Sequence, residues 1–242
     1  MANPLFPSSN AQKVASLWQT NDTLADEGSF FVASSTTVAS GQAGGTAIAT
    51  TTSVVDDAAT ASATHAQNVP VMIITNLASP ADPNGPSIYL KYLKMRVSQV
   101  PSSVAAWYYA LRADNVARYT SGGTLIPPVN ANTGSSRASR AQIYFGAVVT
   151  TNLPSANQRV LSSGQVSNAL PITLDQWIFT FGDVGMPTGL VVSATVRNVT
   201  IPCGPAIIAP GWCATLEMWG ASNSAAPSWE FELGYAERVS GL

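Results

Sequence analysis

The stretch from Ser228 to Glu237 reads SWEFELGYAE, and from Trp229 to Ala236 it alternates between two kinds of residue. Large apolar residues take the odd positions, Trp229, Phe231, Leu233 and Tyr235. Because successive side chains of a strand point to opposite faces, the pattern predicts a strand with one buried and one exposed face. The segment DQWIFTFG repeats the pattern, with Trp177, Phe179 and Phe181 predicted to point inward.

Further apolar runs of strand length recur from about residue 67 to the end of the chain, separated by turn clusters such as SPADPNGP (79–86) and GASNSAAP (220–227). The predicted strands are Val69–Thr75, Ile88–Val100, Ala105–Arg112, Ala141–Thr150, Gln158–Val166, Gln176–Phe181, Leu190–Ile201, Ala206–Ala209, Ala214–Trp219 and Trp229–Val239. Between these runs we find no helical periodicity, which disfavours a parallel α/β sheet. The sequence therefore predicts an all-β fold, a two-sheet antiparallel sandwich that is jelly-roll-like.

The first quarter of the chain has a different composition. No Lys or Arg occurs between Val14 and Leu90, and residues 33–66 are dominated by Ser, Thr, Ala and Gly. Such a tract buries too few large side chains to offset the entropy lost on ordering. We therefore expect an extended arm over residues 1–66 that lies along neighbouring subunits, followed by a β-sandwich domain over residues 67–242.

Charge is scarce throughout the 242 residues. Charged side chains make up 10% of the chain, against about 25% in ordinary globular proteins, and 11 basic and 13 acidic residues leave a net charge of −2. That balance offers no basic surface for nucleic acid or anionic lipid, so we expect neither as a direct partner. The first ten residues lack the features of a signal peptide, and no run is long and apolar enough for a membrane-spanning helix.

Sheet edges carry few of the lysines that usually protect them from pairing with other chains. The chain has three, Lys13, Lys91 and Lys94. Edges guarded so lightly, on a protein with so little charge, favour coverage by neighbouring subunits. We expect a homo-oligomer, with a trimer as the first hypothesis.

Residues suited to catalysis or metal binding are few, and no catalytic, metal or cofactor site is predicted. Glu230 and Glu232 share one face of a strand with Cα atoms about 6.5 to 7 Å apart, a separation that a glycosidase pair can use. A solvated strand face explains the pair better, since no second acidic cluster accompanies it. Asp56 and Asp57 lack the spacing of a calcium loop and are better explained as a turn. His65 is the only imidazole and lies in a polar tract, which disfavours a catalytic role.

Two cysteines, Cys203 and Cys213, flank the segment CGPAIIAPGWC. They are placed to meet across a short hairpin as a disulfide, but nothing else indicates an oxidising compartment. Two small buried thiols are the favoured interpretation.

Partner contacts are predicted at two places. Arg137 and Arg140, with Arg112 and Arg118 upstream, form the one local concentration of basic residues, suited to an acidic patch of a partner protein, although simple solubility explains them equally well. The segment AAWYYALR has aromatic residues on both faces of a predicted strand, so one face is available as a subunit interface or a carbohydrate platform, with the interface preferred. The predicted contact residues are Arg137, Arg140, Trp107 and Tyr109.

The last hundred residues resemble a known group of proteins. The segments TVRNVTIPCGPAIIAPGWCATLEMWGAS (195–222) and APSWEFELGYAERV (226–239) look like the final strands of virion proteins from tailed bacteriophages, and the layout of residues 66–242 is similar to theirs. This resemblance implies a non-enzymatic head decoration or cement protein that clamps neighbouring major capsid subunits in a virion assembled in the host cytoplasm. It implies the major capsid protein or other virion proteins as partners and carries no residue-level site.

Three other functions stay open at this point. A tail or fibre component, including a receptor-binding tip, shares the same β-rich character. A jelly-roll capsid protein of a small virus is expected to have a basic arm to neutralise the genome, whereas the first 90 residues hold only Lys13 as a basic residue. A carbohydrate-binding or glycan-degrading module is supported by the aromatic residues and by Glu230 and Glu232.

Overall fold

A computed structural model describes residues 21–34, 46–47, 70–99, 107–151, 158–167, 175–182, 191–192, 197–220 and 228–239. Within these ranges a short helix, α1, spans Asn21–Asp26. The strands are β1 Phe30–Ser34, β2 Thr46–Ala47, β3 Met72–Asn76, β4 Pro86–Gln99, β5 Trp107–Asp114, β6 Tyr119–Leu125, β7 Val129–Asn130, β8 Ala141–Thr150, β9 Gln158–Ser167, β10 Gln176–Phe181, β11 Val191–Val192, β12 Arg197–Cys203, β13 Ile207–Ile208, β14 Cys213–Gly220 and β15 Ser228–Val239.

These strands form two sheets, and the predicted all-β sandwich is confirmed. Sheet I has the order β11-β12-β10-β4-β15-β1-β7, with β13 beside β4 and β2 beside β15; sheet II has the order β6-β8-β3-β14-β5-β9. The pairing is antiparallel except between β10 and β12, which run parallel. The predicted antiparallel sandwich therefore includes one parallel pair of strands.

Eight of the longer strands are connected in a regular way. Numbered one to eight in chain order, they are β1, β3, β4, β5, β9, β10, β14 and β15. The first pairs with the eighth, the second with the seventh, the third with the sixth and the fourth with the fifth. The second half of the chain thus returns alongside the first half. Every step along this set crosses from one sheet to the other except the step from the fourth strand to the fifth, which stays within sheet II. Strands β6 to β8 are inserted between the fourth and fifth strands of this set, and β11 to β13 between the sixth and seventh.

The core lies between the sheets and uses the alternation seen in the sequence. Phe231 of sheet I packs on Phe145 of sheet II with ring centroids 4.1 Å apart, and Tyr109 meets Phe179 edge to face at 4.9 Å. The predicted inward residues of β10 and β15 whose side chains the structure describes are buried, namely Trp177, Phe179, Phe181, Phe231, Leu233 and Tyr235. The side chain of Trp229 lies outside the described residues.

The other face of β15 is not the exposed face that the alternation predicts. Helix α1 packs over it at one end, where Leu24 and Phe30 cluster with Ala236. The ring of Tyr92 lies over Gly234, and Arg96 is ion-paired with Glu230, whose side chain is 5% exposed. The outer face of sheet I is therefore covered along much of this strand, which an alternating pattern in a single strand does not reveal.

The boundary predicted between an arm and a sandwich at residue 66 needs a correction. Residues 21–34 belong to the folded body, because β1 pairs with both β15 and β7 and buries Phe31 and Ala33 in the core. Gly28 ends α1 at a φ of 65°, and its N–H and that of Ser29 bond back to the carbonyls of Ala25 and Leu24, a Schellman arrangement that turns the chain into β1. Residues 1–20, 35–45 and 48–66 of the predicted arm lie outside the described residues.

Candidate functional site

The sandwich has one end where β4 begins and β15 finishes, and where β3 finishes as well. We call this the Pro86 end. Asn76, the last residue of β3, donates through Nδ2 to the carbonyl oxygens of Pro86 at 2.8 Å and Ile208 at 3.0 Å, which ties both sheets together here. The predicted contact residues Arg137 and Arg140 lie on the connection between β7 and β8, and this connection packs against the same end.

Glu237 fixes the segment that carries the two arginines. Its Oε1 accepts hydrogen bonds from Ser139 Oγ at 2.6 Å, from the Arg140 N–H at 2.7 Å and from the Ala141 N–H at 3.2 Å. Ser139 Oγ also lies 2.7 Å from the Tyr235 hydroxyl. Glu237 is 1% exposed, so a buried carboxylate holds the backbone of residues 139–141 in one conformation.

The side chains of Arg137 and Arg140 are both exposed, but they are held differently. Arg137 donates from Nη1 to Ser29 Oγ at 3.2 Å and from Nη2 to the Glu237 carbonyl at 3.1 Å. Arg140 is fixed through its backbone, because its N–H is bonded to Glu237 and its carbonyl accepts the Leu77 N–H at 2.9 Å. The Arg137 guanidinium is therefore oriented in advance, while that of Arg140 is presented from a rigid backbone.

A cavity of about 430 Å³ opens between these residues, and exposed apolar side chains stand beside it. Its lining consists of Pro86, Arg137, Ala138, Ser139, Arg140 and Glu237. Leu77, whose N–H donates a hydrogen bond to the Arg140 carbonyl, is 57% exposed. Val239, which lies opposite Pro86 in the pairing of β15 with β4, is 50% exposed. The Pro86 end thus combines two cationic side chains with two exposed aliphatic ones, a combination suited to a protein segment that carries both carboxylates and apolar side chains.

Sequence reasoning missed Glu237, Leu77 and Val239. One signal was available for Glu237: it shares the odd-numbered parity of Phe231, Leu233 and Tyr235, so it is a charged residue on the inward face of its strand. The exposure of Leu77 and Val239 depends on where their strands end, which composition does not give.

The other two basic residues of the predicted patch, Arg112 and Arg118, are buried. Arg118 Nε lies 2.6 Å from Asp114 Oδ2 with neither side chain exposed, and Arg118 Nη2 lies 3.0 Å from Thr215 Oγ1. Arg112 Nε lies 3.0 Å from Glu217 Oε2 and is likewise buried. Burial raises the pKa of Asp114, although the nearby Arg118 opposes that shift. The four arginines therefore do not form one patch, because two of them neutralise buried acids on the outer face of sheet II.

Tyr109 is a core residue and does not present its ring to a partner. It is 4% exposed and its ring packs against Phe179. Its hydroxyl oxygen lies 3.0 Å from Ser162 Oγ. The prediction of an exposed contact for Tyr109 is wrong because this face of β5 is the inner one. The backbone of Trp107 begins β5, and its side chain lies outside the described residues.

The pair Glu230 and Glu232 lines a smaller cavity of about 140 Å³ on the outer face of sheet I, with Ser34, Lys94, Arg96 and Phe231. Arg96 Nε donates to Glu230 Oε2 at 2.7 Å, and the Tyr92 hydroxyl donates to Glu232 Oε1 at 2.8 Å. Each carboxylate thus has a hydrogen-bond partner on β4.

Of the remaining candidate residues, the two cysteines lie within the part of the chain that the structure describes. Cys203 and Cys213 are free buried thiols, as favoured from the sequence, and burial raises the pKa of Cys213 to about 12. Asp56, Asp57 and His65 lie outside the described residues. Within the described ranges, no three His, Cys, Asp or Glu side chains come together as metal ligands. The helical part of those ranges likewise contains nothing long and apolar enough to cross a bilayer.

Comparison of the chain with protein-family models, with curated proteins and with solved structures finds no match.

Proposed function

We propose that this protein is a non-enzymatic structural subunit of a virion, built as a jelly roll, and that it acts as a head decoration or cement protein. The observation that carries the proposal is the pairing of each of eight strands with its counterpart counted from the other end, distributed over two sheets. Jelly rolls built in this manner recur in viral capsid and lectin domains. Because a fold hosts many functions, the virion assignment needs further support from the surface.

That support comes from the sheet edges. The strand β9 is a ten-residue edge of sheet II with a single charged residue, Arg159, and β6 at the opposite edge has none. Val160 on β9 is 59% exposed. Edges of this kind favour pairing with other chains and are a liability for a monomer. We therefore include self-association, with a trimer as the first hypothesis, and contact with the major capsid protein or other virion proteins.

The scarcity of charge favours a decoration protein over a genome-enclosing capsid protein. A subunit that lines the genome needs many Lys and Arg side chains against phosphate. Here the net charge is −2, and two of the 11 basic residues, Arg112 and Arg118, are buried in ion pairs. A small-virus jelly-roll capsid protein is the second candidate, favoured by the strand order alone.

The molar mass in solution tests the proposal. We expect size exclusion with light scattering, at two protein concentrations a hundredfold apart, to give a stable multiple of 25.1 kDa. Matched variants at the two edges, Val160→Lys on β9 and Thr124→Lys on β6, place a charge at each edge in turn. Loss of the multimer in one of them identifies the edge used. A single-chain mass at both concentrations overturns the proposal and makes a carbohydrate-binding module the next hypothesis.

A further inference from the structure

We infer that the Pro86 end binds the acidic segment around Asp56 and Asp57 of a second copy of this chain. The inference rests on the proposed function, since it supplies a contact between subunits of the assembly. It identifies the partner of Arg137 and Arg140 as the chain's own polar tract.

The receiving surface is rigid and open. Arg140 is presented from a backbone held by Glu237 and Leu77, and Arg137 is oriented by Ser29 and the Glu237 carbonyl. A guanidinium has five N–H donors, so Arg137 keeps donors for an incoming carboxylate after these two bonds. The cavity of about 430 Å³ between the two arginines is large enough to admit side chains of a peptide. Among the described residues that line it, Glu237 is the only acid, and its Oε1 already accepts three bonds within its own chain.

The proposed occupant matches this surface in charge and in apolar character. Between Gly28 and Ala81, Asp56 and Asp57 are the only charged residues at pH 7, and Val54 and Val55 come directly before them. Two aliphatic side chains followed by two carboxylates complement the exposed Leu77 and Val239 beside Arg137 and Arg140. Opposite charges arranged in this way set register and partner choice as well as affinity.

The length of the chain favours a neighbouring copy. The segment is anchored where Thr46 and Ala47 pair with Trp229 and Ser228, at the opposite end of β15 from Glu237. The distance along β15 from Trp229 to Glu237 is about 26 Å at the usual rise of a strand. The nine residues from Ala47 to Asp56 reach at most about 32 Å. Reaching its own Pro86 end would need about four-fifths of that reach and also a reversal of the chain, because β2 runs antiparallel to β15 and leads away from Glu237. A neighbour in an assembly removes that constraint.

The test uses the full-length variant Asp56→Asn/Asp57→Asn as receptor, because its own segment no longer competes. The probe is a fluorescein-labelled peptide of residues 50–61, TTTSVVDDAATA, followed by fluorescence anisotropy at low and high salt. The receptor is then changed by Arg140→Gln, or by Lys94→Gln as the matched control. Lys94 is eight residues from Pro86 on β4 and lines a different cavity, so it reports nonspecific charge effects.

We expect saturable binding that salt weakens, a loss of about fivefold or more with Arg140→Gln, and little change with Lys94→Gln. A peptide with Asn in place of Asp56 and Asp57 should bind about fivefold or more weakly, as the Arg140→Gln receptor does. This comparison does not depend on whether a receptor variant folds, because the receptor is the same in both measurements. Absence of binding, or equal losses with the two receptor variants, overturns the inference.

The molar mass of the wild-type chain separates this inference from the proposed function. A wild-type multimer that dissociates more readily in the Asp56→Asn/Asp57→Asn variant and in the Arg140→Gln variant supports both the inference and the proposed function. A multimer whose mass and concentration dependence are the same in all three proteins overturns the inference and leaves the proposed function standing. A wild-type monomer at every concentration overturns the proposed function, and with it the contact between copies, even where the peptide binds.

Discussion

The ring of Tyr92 fills the space above Gly234 in which any side chain at position 234 would lie. The two residues face each other across β4 and β15, next to a register shift between Gly234 and Tyr235. The Tyr92 hydroxyl is thereby positioned over Glu232, to which it donates at 2.8 Å. Burial together with this bond raises the pKa of Tyr92. A glycine in the middle of the strand thus makes the outer face of sheet I a packed surface.

Replacement of Gly234 by Ala should therefore destabilise the fold. The added methyl group overlaps the ring, so Tyr92 must move and its bond to Glu232 is lost; we expect a loss of about 2 to 3 kcal/mol in the free energy of unfolding, measured by urea denaturation. Gly204→Ala is the control, because a methyl group there meets no atom within 4 Å. Equal free energies of unfolding for the two variants would show that the position of the Tyr92 ring does not depend on a glycine at residue 234.

The contact between the sheets gives a second prediction. Phe231 is 2% exposed and packs against Phe145 of the opposite sheet. Phe231→Ala should lower the free energy of unfolding by about 3 to 5 kcal/mol, because it removes buried apolar surface and leaves a cavity. Val116→Ala, at a residue that is 38% exposed in the bend between β5 and β6, should cost less than about 0.5 kcal/mol. A loss below about 1 kcal/mol for Phe231→Ala would contradict its place in the core.

Most of the strands were predictable because they carry a periodic signal. The predicted bounds of Ala141–Thr150 and Gln176–Phe181 agree with β8 and β10. The strands that were missed lack that signal for physical reasons. β1 is five residues long and buries Phe30 under α1 as well as Phe31 in the core, so it does not alternate. β6 is exposed and contains glycines at positive φ, and its composition is that of a turn.

The candidate site was predictable only in part. Arg137 and Arg140 stood out as local cations, and the structure places both on an exposed, fixed segment. Arg112 and Arg118 carry the same charge in the sequence, yet their neighbours Asp114 and Glu217 take them into the interior. The distinction depends on pairing between β5 and β14, a contact between residues about a hundred positions apart.

The ion pair of Arg118 with Asp114 should be important for stability. Arg118→Met preserves much of the side-chain volume but leaves the fully buried Asp114 without its nearest cation, so we expect a loss of about 3 to 5 kcal/mol at pH 7. Adding Asp114→Asn should recover part of that loss, because the uncompensated charge is removed. Lys91→Met, at a partly exposed lysine of β4, is the control and should change stability by less than about 0.5 kcal/mol. An unchanged urea midpoint for Arg118→Met would contradict a structural role for the pair.

Alkaline pH should unfold the protein partly through Cys213, whose thiol is buried and has its pKa raised from 9.0 to about 12. A group with a higher pKa in the folded chain contributes stability that is fully present below the unfolded pKa and is lost as pH rises toward the folded one. Between pH 9 and 10, ionisation of Cys213 in the unfolded chain should remove up to about 1.4 kcal/mol per pH unit, and unfolded tyrosines, whose pKa lies near 10, add to the decline. Burial also raises the pKa of Cys203, which adds to the slope.

Urea denaturation at pH 8, 9 and 10 should therefore show a shallower decline in the free energy of unfolding for Cys213→Ala than for the wild-type chain. Identical slopes would mean that the thiol ionises as readily in the folded chain as in the unfolded one.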